Sequence, residues 1–207
     1  MNIHLNSISK IYSKKKVIED LDFEFSESTI TAISGENASG KTTLLKIIAG
    51  LINQTNGEVI YEKNKKTLSY DKAKKYLGIS GNNEFVIENF SGLEYFQFIR
   101  KIYKINKGQY KTAFQDLLSS LGVDSEIFAY EISSYSTGYT KLTEIIGMLL
   151  YQPEVILLDE PLNSLDDKHS TNLQDLLLQL KKRGRTIIVA THHESFINDY
   201  CDKVLKL

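Results

Sequence analysis

A single cysteine, Cys201, stands among 207 residues, so no disulfide can close within the chain. That usage fits a reducing cytoplasm, and the residue itself reads as a small buried side chain. Neither sign of charge is in excess. The 25 Lys+Arg set against 26 Asp+Glu leave no basic field of the kind that holds a polyanion, and no nucleic-acid partner is expected. The lysine-rich spots at 14–16 and 63–66 read as solvated hairpin loops. Long apolar runs are missing as well: stretches such as Ile145 to Leu150 fall far short of the roughly 18 residues that cross a bilayer. The opening MNIHLNSISKIY lacks the charged start and apolar core of a signal peptide. A transport pathway, if there is one, is therefore expected on another chain. The length suits one domain, or one domain with an insertion, and a multi-domain machine is not expected.

What is present centres on Thr29 to Leu51, TITAISGENASGKTTLLKIIAGL, which reads strand, loop, helix. Ile30, Ala32 and Ile33 form the apolar strand, and Gly35 to Thr42 spell the phosphate-binding pattern G-x-x-x-x-G-K-T. Gly35 and Gly40 permit backbone angles that turn successive N–H groups inward around phosphate oxygens. Lys41 adds a mobile positive charge, Thr42 a hydroxyl for Mg²⁺, and the helix that follows aims its positive end at the anion. Leu44, Leu45, Ile47, Ile48 and Leu51 recur at helical spacing and anchor that helix on the sheet. Nucleotide binding follows.

Residues 2–34 read as a β-rich entry, with Ile3, Leu5 and Ile8, then Leu21, Phe23 and Phe25, roughly alternating with polar positions. Gly57 to Tyr61 adds another strand. Residues 71–150 turn to helical periodicity, with Leu93, Phe96, Ile99, Ile102 and Tyr103 on one segment and Phe114, Leu117, Leu118 and Leu121 on the next. Phe85, Phe90, Tyr95, Phe96, Phe98 and Tyr103 crowd the start of this block, as a core stripe or as a partner-docking face. From 151 onward α/β alternation returns. Val155 to Leu158 is a buried parallel strand ending on Asp159-Glu160-Pro161, a helix runs from about 166 to 182, and Thr186 to Ala190 is a strand ending on Thr191-His192-His193. The fold class is α/β: a P-loop NTPase with a parallel-sheet core, an antiparallel β layer and an inserted helical subdomain. Residues 1–77 and 151–207 are expected to form the core, and 78–150 the helical insert.

Ligands of open α/β sheets bind at the carboxyl ends of the strands, where three groups gather. Asp159 is placed to hold Mg²⁺, and Glu160, which in a strand would point the other way, to act on water as general base. His192 either contacts the γ-phosphate and that water or serves as a structural cap, while His193 reads as an exposed helix start. Tyr12 could stack on an adenine or cover a sheet edge. Ser136-Thr137-Gly138 opens a helix, as a second anion site or as an ordinary cap.

In this order the pieces resemble the ATP-binding subunit of an ABC transporter, over essentially the whole chain. Gly35, Glu36, Asn37, Ala38, Ser39, Gly40, Lys41, Thr42 and Thr43 match the Walker A motif, VILLDEP matches Walker B with Glu160 as catalytic glutamate, and NSLD at 163–166 looks like the D-loop with Asp166. His192 matches the switch histidine, and Tyr12 the adenine-stacking aromatic. YSTGY at 135–139 stands in the place of the signature LSGGQ. The resemblance implies ATP and Mg²⁺ as cofactors and a head-to-tail dimer, either of two copies or with a second ABC cassette. In that dimer Ser136, Thr137 and Gly138 of one subunit cover the ATP of the other, and closure drives a separate transmembrane permease subunit from the cytoplasmic face of the membrane. The chain departs from the family in carrying Asn82 where a glutamine is usual and Tyr139 at the polar end of the signature. The STG form and SGLEYFQFIRKIY at 91–103 look like drug, peptide and bacteriocin-immunity exporters, and no carboxyl-terminal regulatory domain is expected. A soluble ABC-type ATPase without a membrane partner, or a nucleotide switch without useful turnover, is the alternative.

Overall fold

The computed structural model describes residues 1–207 except Lys14 and Asn82. In chain order the strands and helices are β1 (Asn2–Tyr12), β2 (Lys15–Phe25), β3 (Ile30–Ser34), α1 (Lys41–Ile48), β4 (Asn56–Lys63), β5 (Lys66–Leu68), α2 (Tyr70–Ala73), β6 (Leu77–Gly81), α3 (Gly92–Ile102), α4 (Lys107–Leu121), α5 (Thr137–Leu149), β7 (Val155–Asp159), α6 (Asp167–Lys182), β8 (Thr186–Ala190), α7 (Glu194–Tyr200) and β9 (Lys203–Lys206). They divide into two compact units, one of residues 1–79, 153–160 and 178–207, the other of residues 80–152 and 161–177. The segment 161–177 thus groups with the helical residues.

In the first unit β2-β1-β4-β5 form an antiparallel sheet, and β6-β7-β8-β3-β9 a second one in which β7, β8, β3 and β9 run parallel. The apolar positions of β1 step by two from Ile3 to Leu5 and then by three to Ile8, all buried. A three-residue step would turn Ile8 outward in a regular strand. A register shift absorbs it, with Ser7 at φ 48° and Asp20 at φ 45°. The polar neighbours pin it: Ser7 N–H donates to Asp22 Oδ1 at 2.7 Å, and Asp20 N–H to Ser9 Oγ at 2.9 Å. Lys15 and Lys16 belong to β2 rather than to a loop, because the hairpin with β1 extends to the Tyr12–Lys15 pair. The second lysine-rich spot is a two-residue turn, with Asn64 and Lys65 both at positive φ, as tight hairpins require.

Every residue of β7 and β8 is buried, the pattern of parallel strands covered on both faces. Leu44, Leu45, Ile47 and Ile48 of α1 join Ile3 and Leu5 of one sheet and Val155, Leu157 and Ile188 of the other in a single cluster. At about 1.5–3 kcal/mol for each fully buried side chain, that cluster contributes strongly to the stability of the unit and anchors α1 on the sheets. Its carboxyl end is tied down as well. The Tyr61 hydroxyl donates to Ile48 O and the Tyr70 hydroxyl to Ala49 O, both at 2.8 Å.

The second unit answers the question posed by the aromatic segment. Phe96 of α3 is fully buried, 5.2 Å between ring centroids from Phe114 and 5.0 Å from Phe128, whereas Leu93, Phe98, Ile102 and Tyr103 are exposed. One face of α3 is core and the other is open. A capping box of Ser91 and Glu94 starts the helix.

Glu144, buried within α5, accepts from Ser80 Oγ at 2.7 Å and Phe85 N–H at 3.0 Å, and so ties both residues to the helix. Burial raises its pKa above the ordinary carboxylate range, although the hydrogen bonds and the Lys141 charge pull the other way. A raised carboxyl pKa means that stability is greatest where Glu144 is protonated and is lost as pH rises from the unfolded value, about 4.3, through the folded one. Glu144→Gln does not titrate, so its melting temperature relative to the parent chain is expected to rise between acid and neutral pH in thermal melts. Glu144→Ala is expected to be worse at every pH, since each orphaned donor costs about 1–3 kcal/mol.

Candidate nucleotide site

β3 delivers the chain to a loop where side chains have no room. A Cβ on Gly35 would lie 2.6 Å from Ser39 Oγ and 2.7 Å from the carbonyl oxygen of Leu207. Gly40, at φ 109°, occupies the left-handed region that disfavours other residues, and its position is flanked by Val17. Gly40 is also the N-cap of α1 and brings no side chain to cap it, so the first N–H groups of the helix remain available to an anion. Lys41 is a buried residue, and its ammonium bridges the loop by donating to Gly35 O at 2.8 Å and Glu36 O at 3.0 Å. Lys15, Val17, Asn37, Ala38, Gly40, Lys41, Thr42, Thr43, Asp159 and Glu160 line a cleft of about 360 Å³.

Across that cleft the Thr42 hydroxyl donates to Asp159 Oδ2 at 2.6 Å. A hydroxyl and a carboxylate this close offer only oxygen donors, the set that suits Mg²⁺. Asp159 ends β7, which lies two strands from β3 with β8 between them. Glu160 is not an extension of that strand. The pleat stops at Asp159 and Glu160 takes φ 45°, with its N–H on Ala190 O at 2.9 Å, so a turn, not strand alternation, separates the two carboxylates. Glu160 Oε1 meets His192 Nδ1 at 3.0 Å. His193 follows as the N-cap of α7, its ring stacked on that of His192 with centroids 4.7 Å apart. Tyr12 is half exposed at the end of β1, opposite Lys15 in the hairpin.

A separate group of residues forms in the second unit. Ser136 caps α5, its Oγ accepting from Tyr139 N–H at 3.3 Å, and Thr137 and Gly138 open the helix. Gly138 is packed so closely on the 163–166 segment that a Cβ there would lie 2.4 Å from Ser164 O. Asp166 caps α6 through His169 N–H at 2.8 Å and also contacts the imidazole Nδ1 of His169 at 2.9 Å. These contacts hold the carboxyl of Asp166 below its usual pKa range. Asn82 lies outside the described residues. Sequence reasoning missed Lys15, Val17, Glu144 and His169. Only Glu144 carried a signal, as an acidic residue in an otherwise apolar helix face.

The thiol of Cys201 is half-buried against Phe196 O, and burial pushes its pKa up to about 12, so it stays protonated at neutral pH.

A glycine-bordered loop between strand and helix, a buried lysine across it and an aspartate closing on its threonine define a P-loop nucleotide-binding protein. The family model described as ABC transporter matches residues 18–163, and the chain belongs to that family. It is 32% identical over 209 residues to an uncharacterized ABC transporter ATP-binding protein, YybJ, of Bacillus subtilis, an alignment covering 99% of this chain and 92% of that one. It is 30% identical over 207 residues to the lipoprotein-releasing system ATP-binding protein LolD of Rickettsia bellii, covering 98% of this chain and 93% of that one. Among solved structures, the ATP-binding subunit of an ABC transporter superposes with a TM-score of 0.89 at 22% identity, over 100% of this chain and 86% of that one, which establishes the fold. The chain is an ATPase of this family, whose members hydrolyse ATP in coupling with transport. No helix among the described residues is long and apolar enough to cross a membrane.

Proposed function

We propose that this chain is the ATP-driven motor of an exporter, working in the cytoplasm on the inner face of the membrane through a separate transmembrane permease subunit. The observation that carries the reading is the convergence of Lys41, Thr42, Asp159 and Glu160 on one cleft. ATP phosphates take the backbone N–H groups of residues 35–43 and the Lys41 ammonium, which exchanges its bonds to Gly35 O and Glu36 O for phosphate oxygens. Thr42 and Asp159 are the residues that would hold Mg²⁺, whose charge offsets that of the phosphates. Glu160 accepts the proton of a water whose oxygen attacks the γ-phosphorus as the bond to ADP breaks. His192, paired with Glu160 by one ring nitrogen, keeps that carboxylate aimed and contacts the transferred phosphate. Tyr12 stacks on adenine. Ser136, Thr137 and Gly138 of a second subunit complete the site, Asp166 stands beside them, and Asn82 occupies the place of the usual glutamine. The form of the signature and the 91–103 segment support export as the direction.

A site completed by a second subunit turns over only in the dimer. Specific ATPase activity is therefore expected to rise with protein concentration across a roughly hundredfold range and to level off when dimers saturate. Activity per molecule that stays constant over that dilution would sink the shared-site reading.

A further inference from the structure

We infer that Glu160, His192 and His193 form a binding site for a borderline divalent transition metal of the Zn²⁺ class, and that its occupation switches the ATPase off. One ligand atom from each residue lies within 4.8 Å of the other two. Zinc bonds of about 2.0–2.1 Å in a tetrahedral site place ligands roughly 3.4 Å apart, so the widest separation has to close by up to about 1.4 Å. His192 Nδ1 and Glu160 Oε1 already stand at 3.0 Å, and His192 lies exposed at the surface. The stacking of the two histidines on one side follows from the backbone: β8 ends at Ala190, and His193 turns the chain into α7, so neighbouring side chains do not alternate as they would in a strand.

The donor set distinguishes this place from the Thr42–Asp159 pair. Two imidazoles and one carboxylate suit zinc-like ions and leave a fourth position for water, whereas Mg²⁺ prefers oxygen ligands. The two sites therefore sort the two metals. The inhibitory consequence rests on the proposed function. A metal held here takes the carboxylate oxygen and imidazole nitrogen assigned to water activation, so ATP can bind but its hydrolysis stalls.

The test uses His193→Asn, which removes one ligand, leaves Glu160 and His192 themselves unsubstituted and places a favoured N-cap residue at the head of α7. Zn²⁺ is titrated into the nucleotide-free full chain against a chromogenic chelator, and ATPase is then measured at fixed excess Mg²⁺ with buffered micromolar Zn²⁺. The parent chain is expected to bind one Zn²⁺ that His193→Asn binds at least about tenfold more weakly. The variant is further expected to keep its Mg²⁺-ATPase and lose its sensitivity to Zn²⁺. Equal Zn²⁺ affinity in the two proteins overturns the site. Lost Zn²⁺ binding in the variant with unchanged Zn²⁺ inhibition overturns the switch. An ATPase that is silent even without Zn²⁺ would instead count against the proposed function, because the chelator titration involves no turnover.

Discussion

Glu160→Gln is expected to lower ATP turnover by about 10²–10⁴-fold, the range that a positioned general base contributes, while leaving ATP binding close to that of the parent chain. The substitution keeps the shape of the side chain and its capacity to bond His192 Nδ1, 3.0 Å away, but removes the basicity that takes a proton from water. The backbone at this position, at φ 45°, is unaffected because glutamine tolerates it as glutamate does. Since ATP stays intact, the closed dimer should accumulate. Light scattering with ATP and Mg²⁺ then reads a doubled mass, against a monomer without nucleotide. A variant that hydrolyses ATP at the parent rate would remove Glu160 from the chemistry, and one that binds ATP yet stays monomeric would assign its second half-site to a different cassette.

The second large effect is expected from Lys41→Ala, which should abolish the thermal stabilisation that ATP confers. At a ligand concentration about a hundred times Kd, binding to the native state alone contributes roughly 2.7 kcal/mol, or about 5–10 °C in a chain of this size. Charge-assisted hydrogen bonds from the ammonium to phosphate are among the strongest single contacts available. Removing them weakens binding enough to erase the shift at the same ATP concentration. Without nucleotide the variant is expected to melt a little below the parent, because Lys41 also ties Gly35 O and Glu36 O across the loop. Differential scanning fluorimetry with and without ATP separates the two effects, and an undiminished ATP shift in Lys41→Ala would place the phosphates elsewhere.

The sequence was most legible where one period or one spacing determines a local shape. The buried runs of β3, β7 and β8, the amphipathic α1 and the loop from Gly35 to Thr42 all express rules that act over a few residues. It was least legible where geometry depends on contacts far along the chain. The position of Glu160 followed from the motif, but its left-handed turn did not, because the Ala190 carbonyl that receives its N–H comes from another strand. Lys15 and Lys16 read as loop residues since charge density masked the hairpin pairing that draws them into β2. Phe96 and Phe98 could not be told apart by hydrophobicity. One is enclosed by rings of Phe114 and Phe128, and the other stands on the face of α3 that those rings do not cover.

The neighbours of β3 bear on how the chain acquires its nucleotide loop. Both strands that flank it, β8 and β9, come from near residue 200, and Ile30 N–H bonds to Asp202 Oδ2, 172 positions away. During synthesis at about 5–20 residues per second, β3 and the loop it carries wait unpaired while some 150 further residues emerge. The helical segments, built from local contacts, can form in that interval, whereas the strand with the greatest need of partners receives them late. Hence a nascent chain released before β8 and β9 are made exposes a short, mostly apolar strand and no working phosphate site, and ATP cannot rescue it because the loop that would grip ATP is the part still missing its frame.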